Sequence, residues 1–313
     1  MDTDTKARPD VVVGVDGSDH ALHAVGWAAT EARLRGLPLR IVHAAAHPAG
    51  PAGSEPHGAP ATLARAFSVA RRAEPDVVVS TTRTDLDATT SLLDAAHGAA
   101  LLAVGMGGGE VAGEVLIGSV ALDVSGRAPC PVAVVRGGPV PPQGPVLVGV
   151  DTFGEDGLRR DDAALSVAFA DARRHGGRVA ILHARYVTGS RTPGDEQAAD
   201  VAVRDRLRAE LGTWTARFPD VPMQVSVVHG NPARALLQAA EGSRLVVLGT
   251  RGLDAYARAL FGSTSREVLR RSPVTVLVVN PDTVGTAPDP DERPAPGSHD
   301  TQLDHPHDHS ALF

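Results

Sequence analysis

Apolar residues in this chain fall into two kinds of stretch. Short unbroken runs such as Val11-Val12-Val13-Gly14-Val15 and Leu245-Val246-Val247-Leu248-Gly249 show no polar alternation. Between them lie longer stretches, at 21–35, 61–73, 163–175 and 198–217, in which apolar residues recur at helical spacing. A continuous Val/Leu/Ile run is buried on both faces, and the intervening helices are the crossovers that parallel strands require. The pattern therefore predicts strands beginning near Val11, Pro38, Asp76, Ala100 and Pro131, and again near Val146, Arg178, Met223, Arg244 and Val274. The expected class is α/β: in each half a doubly wound, flavodoxin-like or Rossmann-like sheet of five parallel strands with helices on both faces.

The second half repeats the first. Val11 to Asp16 returns as Val146 to Asp151 at an offset of 135 residues, and Leu39 to Ala44 returns as Val179 to Ala184 at an offset of 140. The second copy thus carries five extra residues after its first strand, within 152–162. Leu101 to Gly105 and Pro129 to Val135 return at a common offset of 144. The stretch 137–145 is too rich in Pro and Gly to continue either element, which puts the domains at 1–140 and 141–281. From 282 to 313 the chain turns to Pro, Asp, Gly and His, with too little apolar surface to offset the entropy of ordering, so a disordered tail is expected. Residues 48–60 read as a mobile surface loop.

Composition narrows the picture. Hydrophobic residues make up 42% of the 313, but aromatics only 3%, which suits small residues packed under helices better than a β-sandwich. A net charge of −7 gives no basic footprint for nucleic acid or an anionic membrane, and neither partner is expected. Cys130 is the single cysteine, so no intrachain disulfide or cysteine-rich metal site can form. With no signal-peptide core and no long apolar stretch, a cytoplasmic location is expected.

The candidate chemistry follows the fourth strand of each copy. Copy two reads Gly249-Thr250-Arg251-Gly252, nine residues, then Gly262-Ser263-Thr264-Ser265 opening a helix; copy one reads Gly105-Met106-Gly107-Gly108, nine residues, then Gly118-Ser119. Glycines let backbone N–H groups approach phosphate oxygens, and the helix start behind them presents unpaired donors and a positive dipole end. Duplication at matching places raises the signal well above that of a lone motif.

On these residues the chain resembles the universal stress protein family, whose ATP-binding members carry Gly-x2-Gly-x9-Gly-Ser/Thr after the fourth strand. The resemblance extends to Val15-Asp16-Gly17-Ser18, Ile41-Val42-His43-Ala44 and Ala128-Pro129-Cys130-Pro131-Val132, and covers about residues 9–280. It implies a strand order of 3-2-1-4-5. It also implies an ATP site in each copy, with the nucleotide bound alone or with Mg2+. The first-strand Asp would contact the adenosine, backbone at the end of strand two would read adenine, and the glycine loop with its Ser would hold ribose and phosphates. In copy one this set comprises Gly14, Asp16, Ala44, Val104, Gly105, Gly108, Gly118, Ser119 and Val120. In copy two it comprises Gly149, Asp151, Ala184, Leu248, Gly249, Arg251, Gly252, Gly262, Ser263, Thr264 and Ser265. The resemblance further implies a stress or dormancy regulator. Its domains would pair within one chain through their apolar fifth strands; a homodimer of whole chains is allowed but not required.

The copies differ. Copy two keeps His229-Gly230-Asn231-Pro232 and Arg251, where copy one has Asp85-Leu86-Asp87-Ala88 and Gly107, so tighter binding is expected in copy two. Plainer readings compete at several positions. The glycines can serve helix–sheet packing alone, Asp16 and Asp151 can cap the helices that follow, and Arg251 reads equally as a phosphate ligand or a salt-bridge partner. His43 and His183 read as packed, hydrogen-bonded residues, Cys130 as structural, and the tail histidines 299, 305, 307 and 309 as a solvated run. No Walker-type Gly-Lys-Ser/Thr loop, Ser-His-Asp set or metal-ligand spacing is present, so catalysis has no support in the sequence. The rival readings are a slow ATPase or nucleotide-dependent transferase, and a nucleotide-free scaffold.

Overall fold

The computed structural model describes residues 9–45, 58–107, 110–111, 114–115, 117–138, 141, 143–151, 161–186, 193–250 and 262–281. The first copy runs β1 (Val11–Val15), α1 (Asp19–Arg35), β2 (Leu39–Ala44), α2 (Ala59–Ala73), β3 (Val79–Thr84), α3 (Ala88–Ala96), β4 (Leu101–Gly105), the short strands β5 (Glu110–Val111) and β6 (Glu114–Val115), α4 (Ser119–Arg127) and β7 (Val132–Val135). The second runs β8 (Val146–Gly149), α5 (Asp162–Arg174), β9 (Val179–Arg185), α6 (Pro193–Glu210), α7 (Gly212–Arg217), β10 (Met223–His229), α8 (Pro232–Ala240), β11 (Leu245–Gly249), α9 (Ser263–Arg271) and β12 (Val276–Val279).

The major strands form one sheet in the order β3-β2-β1-β4-β7-β12-β11-β8-β9-β10. Each half is parallel throughout and has the 3-2-1-4-5 order, as crossover helices dictate. Alternate residues of each strand feed two cores. Val11, Val13 and Val15 pack under α1 and α2, and Val12 under α3 and α4; the second copy repeats this with α5, α6 and α7 on one face and α8 and α9 on the other. The α1 face is lined by Ala21, Ala24, Val25, Ala28 and Ala29, small residues that let the helix lie close on the sheet.

Three details depart from the sequence pattern. β3 starts at Val79, not near Asp76, because it is an edge strand of polar sequence whose side chains are largely exposed. The helix expected at 198–217 is two, α6 and α7, meeting at the fully buried Leu211. A hairpin, β5 with β6, occupies the spacer of the first glycine loop. The expected loop at 48–60 and the 282–313 tail lie outside the described residues, apart from the start of α2.

At the centre of the sheet β7 and β12 run antiparallel, with Val132 opposite Val278, Ala133 opposite Leu277 and Val134 opposite Val276. All eight residues of the two strands are buried. Side chains tie the same seam: Asn280 Nδ2 donates to the Ala128 carbonyl at 2.8 Å, and Arg136 donates to the Leu269 carbonyl. Gly144, at the end of the linker, is closely packed: a Cβ there would lie 2.7 Å from the Arg244 backbone nitrogen.

Above the seam, α1 meets α5 through charge. His175 Nε2 donates to Glu31 Oε1 at 2.8 Å, and Arg35 holds Glu31 Oε2 at 3.2 Å. Arg244 bonds Asp171, which like Glu31 is 1% exposed. Burial pushes the Glu31 carboxyl up, but the His175 hydrogen bond and the nearby Arg35, His175 and Arg174 charges outweigh it and bring the group down to about 2 from 4.5. A carboxylate with a depressed folded pKa stabilises the fold fully above its unfolded value, and that contribution is lost as pH falls towards the folded one. Stability should therefore decline between about pH 4.5 and 2. Glu31→Gln should lower neutral-pH stability by about 3 kcal/mol and flatten that acid limb, measured by urea unfolding across pH. An equal loss at every pH would contradict this.

Candidate functional site

Parallel strands bring their carboxyl ends to one edge, and in copy one that edge gathers the ends of β1, β2 and β4 with the start of α4. Asp16, Ala44, Gly105 and Gly118 all lie there. Asp16 is exposed, and its Oδ1 accepts from the Ser18 backbone at 2.9 Å, closing a turn in which Gly17 takes φ +88°. The cap of α1 is Ser18, whose Oγ accepts from the Ala21 N–H, so Asp16 is not the capping residue. In copy two the exposed Asp151 donates its N–H to Asp161 Oδ2 at 3.0 Å.

The glycine loop of copy one is closed by main chain. The Gly118 N–H donates to the Met106 carbonyl at 2.9 Å, and between them β5 and β6 pair antiparallel. The nine-residue spacer is therefore the length that returns the start of α4 to the end of β4. Gly118 is the N-cap of α4 and Gly262 the N-cap of α9, both in extended backbone and with no capping side-chain bond. Of the other helices, α1, α3 and α8 are capped by Ser18, Asp87 and Asn231, while α2, which also starts on a glycine, α5 and α7 have no side-chain cap. Ser119 and Ser263 are exposed at these two starts; Val120, Thr264 and Ser265 are half-buried behind them.

Several glycines in the predicted set have a packing reason. A Cβ on Gly105 would lie 2.6 Å from the His20 carbonyl carbon and 2.8 Å from the Ala21 nitrogen, so glycine there seats α1 against β4. Gly14 and Gly149 face Leu92 and Leu236, at 2.9 and 3.0 Å from the would-be Cβ. Val104 and Leu248 turn their side chains into the core and offer the edge only backbone. At Gly262 a Cβ would meet nothing within 4 Å among the described residues. Gly108, Arg251 and Gly252 lie outside the described residues.

His43 and His183 donate from Nδ1 to the Val15 and Val150 carbonyls at 2.8 and 3.1 Å, which makes them matched strand fasteners. Cys130 is buried, and burial pushes its thiol up to about 12. At the edge of copy two, Asp200 on α6 accepts from Arg185 and His229, both at 2.9 Å, and the His229 hydrogen bond holds its carboxyl below the usual range. Sequence spacing did not single out this cluster, whose members come from three separate elements.

Glu31, Asp171 and His175 bring ligand-type atoms within 4.8 Å of one another. Three guanidiniums, of Arg35, Arg174 and Arg244, stand around the two carboxylates, and that charge opposes a cation. A surface groove of about 690 Å³ between α8 and α9 is walled by Arg234, Glu241, Glu267 and Arg271. Among the described residues no helix is long and apolar enough to cross a membrane.

Fold and site together define a tandem pair of doubly wound domains, each with a glycine-started helix at its carboxyl edge. A model of the universal stress protein family matches residues 8–136 and 144–280, and the chain belongs to that family. The Mycobacterium tuberculosis universal stress protein Rv2623 is 35% identical over 85% of this chain and 95% of its own length. A Mycolicibacterium smegmatis universal stress protein is 31% identical over 87% of this chain and 97% of its own. Among solved structures, a universal stress protein from Archaeoglobus fulgidus shares the fold with a TM-score of 0.61 at 20% identity, covering 88% of this chain and 99% of that one.

Gly105→Ala should test the packing role: with backbone at 2.6 Å the added methyl cannot be absorbed by a rotamer change. A loss of about 1–3 kcal/mol in urea unfolding is expected, and an unchanged midpoint would refute the tight α1 seat.

Proposed function

We propose that the protein is a cytoplasmic ATP-binding regulator of the stress or dormancy response, holding nucleotide, alone or with Mg2+, at the carboxyl edge of each domain without dedicated catalytic machinery. One observation carries the reading: in both copies the helix after the Gly-x2-Gly-x9-Gly loop starts on glycine at the sheet's carboxyl edge with no side chain capping it; of the other helices α1, α3 and α8 are capped by side chains, whereas α2, α5 and α7 are not. The first-turn N–H groups of such a helix lack intrahelical partners and suit phosphate oxygens. Ser119 and Ser263 add hydroxyl donors, and Asp16 and Asp151 stand where the ribose would lie. The domains are taken as 1–140 and 141–281, paired side by side within one chain in solution, with dimerisation of whole chains optional.

Copy two is the tighter site. Its loop carries Arg251 and it keeps His229-Gly230-Asn231-Pro232, whereas copy one has Gly107 and Asp85-Leu86-Asp87-Ala88 at these places. A charge-assisted hydrogen bond contributes about 1.5–3 kcal/mol, so about tenfold or more separates the two affinities. The alternative of a nucleotide-free scaffold makes the opposite forecast for the glycine helices.

Mass spectrometry of small molecules released from the purified, denatured protein should find adenine nucleotide. In calorimetry Gly262→Val should remove the tighter ATP site, because the side chain would fill the space of the phosphate, and Gly118→Val should remove the weaker one. Unchanged ATP affinity in both variants would sink the assignment; the reverse order of loss would refute the asymmetry.

A further inference from the structure

The seam between the halves holds more cation than carboxylate, and the surplus comes from one side. Positions 31 and 171 are equivalent in the two copies, related by the same offset of 140 as His43 and His183. Copy one contributes Glu31 and Arg35, an ion pair that sums to zero. Copy two contributes Asp171, already bonded by Arg244, together with Arg174 and His175. Copy one has Leu34 where copy two has Arg174, and Ala100 where copy two has Arg244, so neither cation has a counterpart. Arg174 lies 4.0 Å from Asp171 Oδ1, and its Nε is buried without a partner. The surplus is met from across the seam, where Glu31 Oε1 accepts from His175.

We infer that this imbalance makes the seam heterotypic: the pairing face of copy two fits a face that presents it a carboxylate oxygen, as copy one does, and rejects a second copy-two face. Two copy-two faces would bring together two Arg174 and two His175 side chains, with no carboxylate beyond two Asp171 groups already bound to arginine. Self-repulsion grows with the square of the charge gathered in one place, and an uncompensated buried charge is strongly destabilising. A one-to-two seam divides the surplus instead. Each chain carries both edge strands, so like-with-like pairing between molecules would string chains into open arrays, whereas one-to-two pairing closes each chain on itself. Glu31, Arg174 and His175 are then the residues that specify closure. The inference rests on the side-by-side pairing of the domains proposed above.

The test uses the full chain carrying Ala133→Cys and Leu277→Cys, residues directly opposite across β7 and β12. Opposed Cβ atoms in an antiparallel pair lie within reach of a disulfide after a small shift. Cys130, with its thiol pushed up to about 12, does not compete. The expected product is a disulfide within one chain and a monomer in sedimentation velocity. Adding Glu31→Arg should cut the intrachain product by about tenfold and leave both cysteines as free thiols, with Glu31→Gln moving the same way by less. Combining Glu31→Arg with Arg174→Glu should restore the intrachain product, a rescue that mere loss of packing would not give. A Glu31→Arg chain that still crosslinks wholly within itself overturns the inference, as does a charge swap that behaves like Glu31→Arg alone. If the two cysteines by themselves give no intrachain disulfide, the pairing beneath the inference is what fails.

Discussion

Two parallel half-sheets each end in a strand that is apolar on both faces, and a strand of that kind cannot be left as an edge. Val132–Val135 and Val276–Val279 are buried at every position, and they are buried because they lie against each other. The rest of the architecture depends on this one contact. Since the pairing is antiparallel and both halves put their first helix on the same face, the copies are related by an approximate two-fold axis normal to the sheet. The two carboxyl edges therefore open in opposite directions. The same axis sets α1 beside α5 and brings the equivalent carboxylates Glu31 and Asp171 together.

The outer strands show the reverse logic. β3 is polar and largely exposed, and β10 is also partly exposed, so both ends of the ten-stranded sheet are poor templates for further pairing. Hydrophobicity is concentrated at the join and thins towards the rims. The halves have also diverged in their cores: copy two stacks Phe169, Trp214 and Phe218 with centroids 5.5 to 6.4 Å apart, in a region where copy one uses alanine and leucine.

Much of this was legible in the sequence because buried parallel strands have no alternation to hide them. The runs at Val11, Leu39, Leu101, Val146 and Leu245 stand out as strands, and the repeated offset shows that the same domain occurs twice. The pattern sets β3 three residues early because an edge strand such as Val-Ser-Thr-Thr-Arg-Thr lacks an apolar core signal. The break at Leu211 leaves no mark in the pattern because the helical spacing continues through it. The glycine motif was legible as a motif, but its physical meaning was only partly so. Spacing alone cannot separate Gly105, which glycine packing explains, from Gly118 and Gly262, which start uncapped helices. The buried ions were overlooked although a signal existed: Glu31 and Asp171 interrupt alanine-rich stripes at the same place in both copies, where a solvated charge has no reason to recur.

The account stands or falls on the seam, and amide hydrogen exchange on the intact chain reads it directly. Strands paired on both sides exchange only through large-scale opening, whereas edge strands exchange by local fraying. The account predicts that the amides of Val132–Val135 and Val276–Val279 exchange as slowly as those of β1 and β11. Exchange there as fast as in the edge strands β3 and β10 would contradict it.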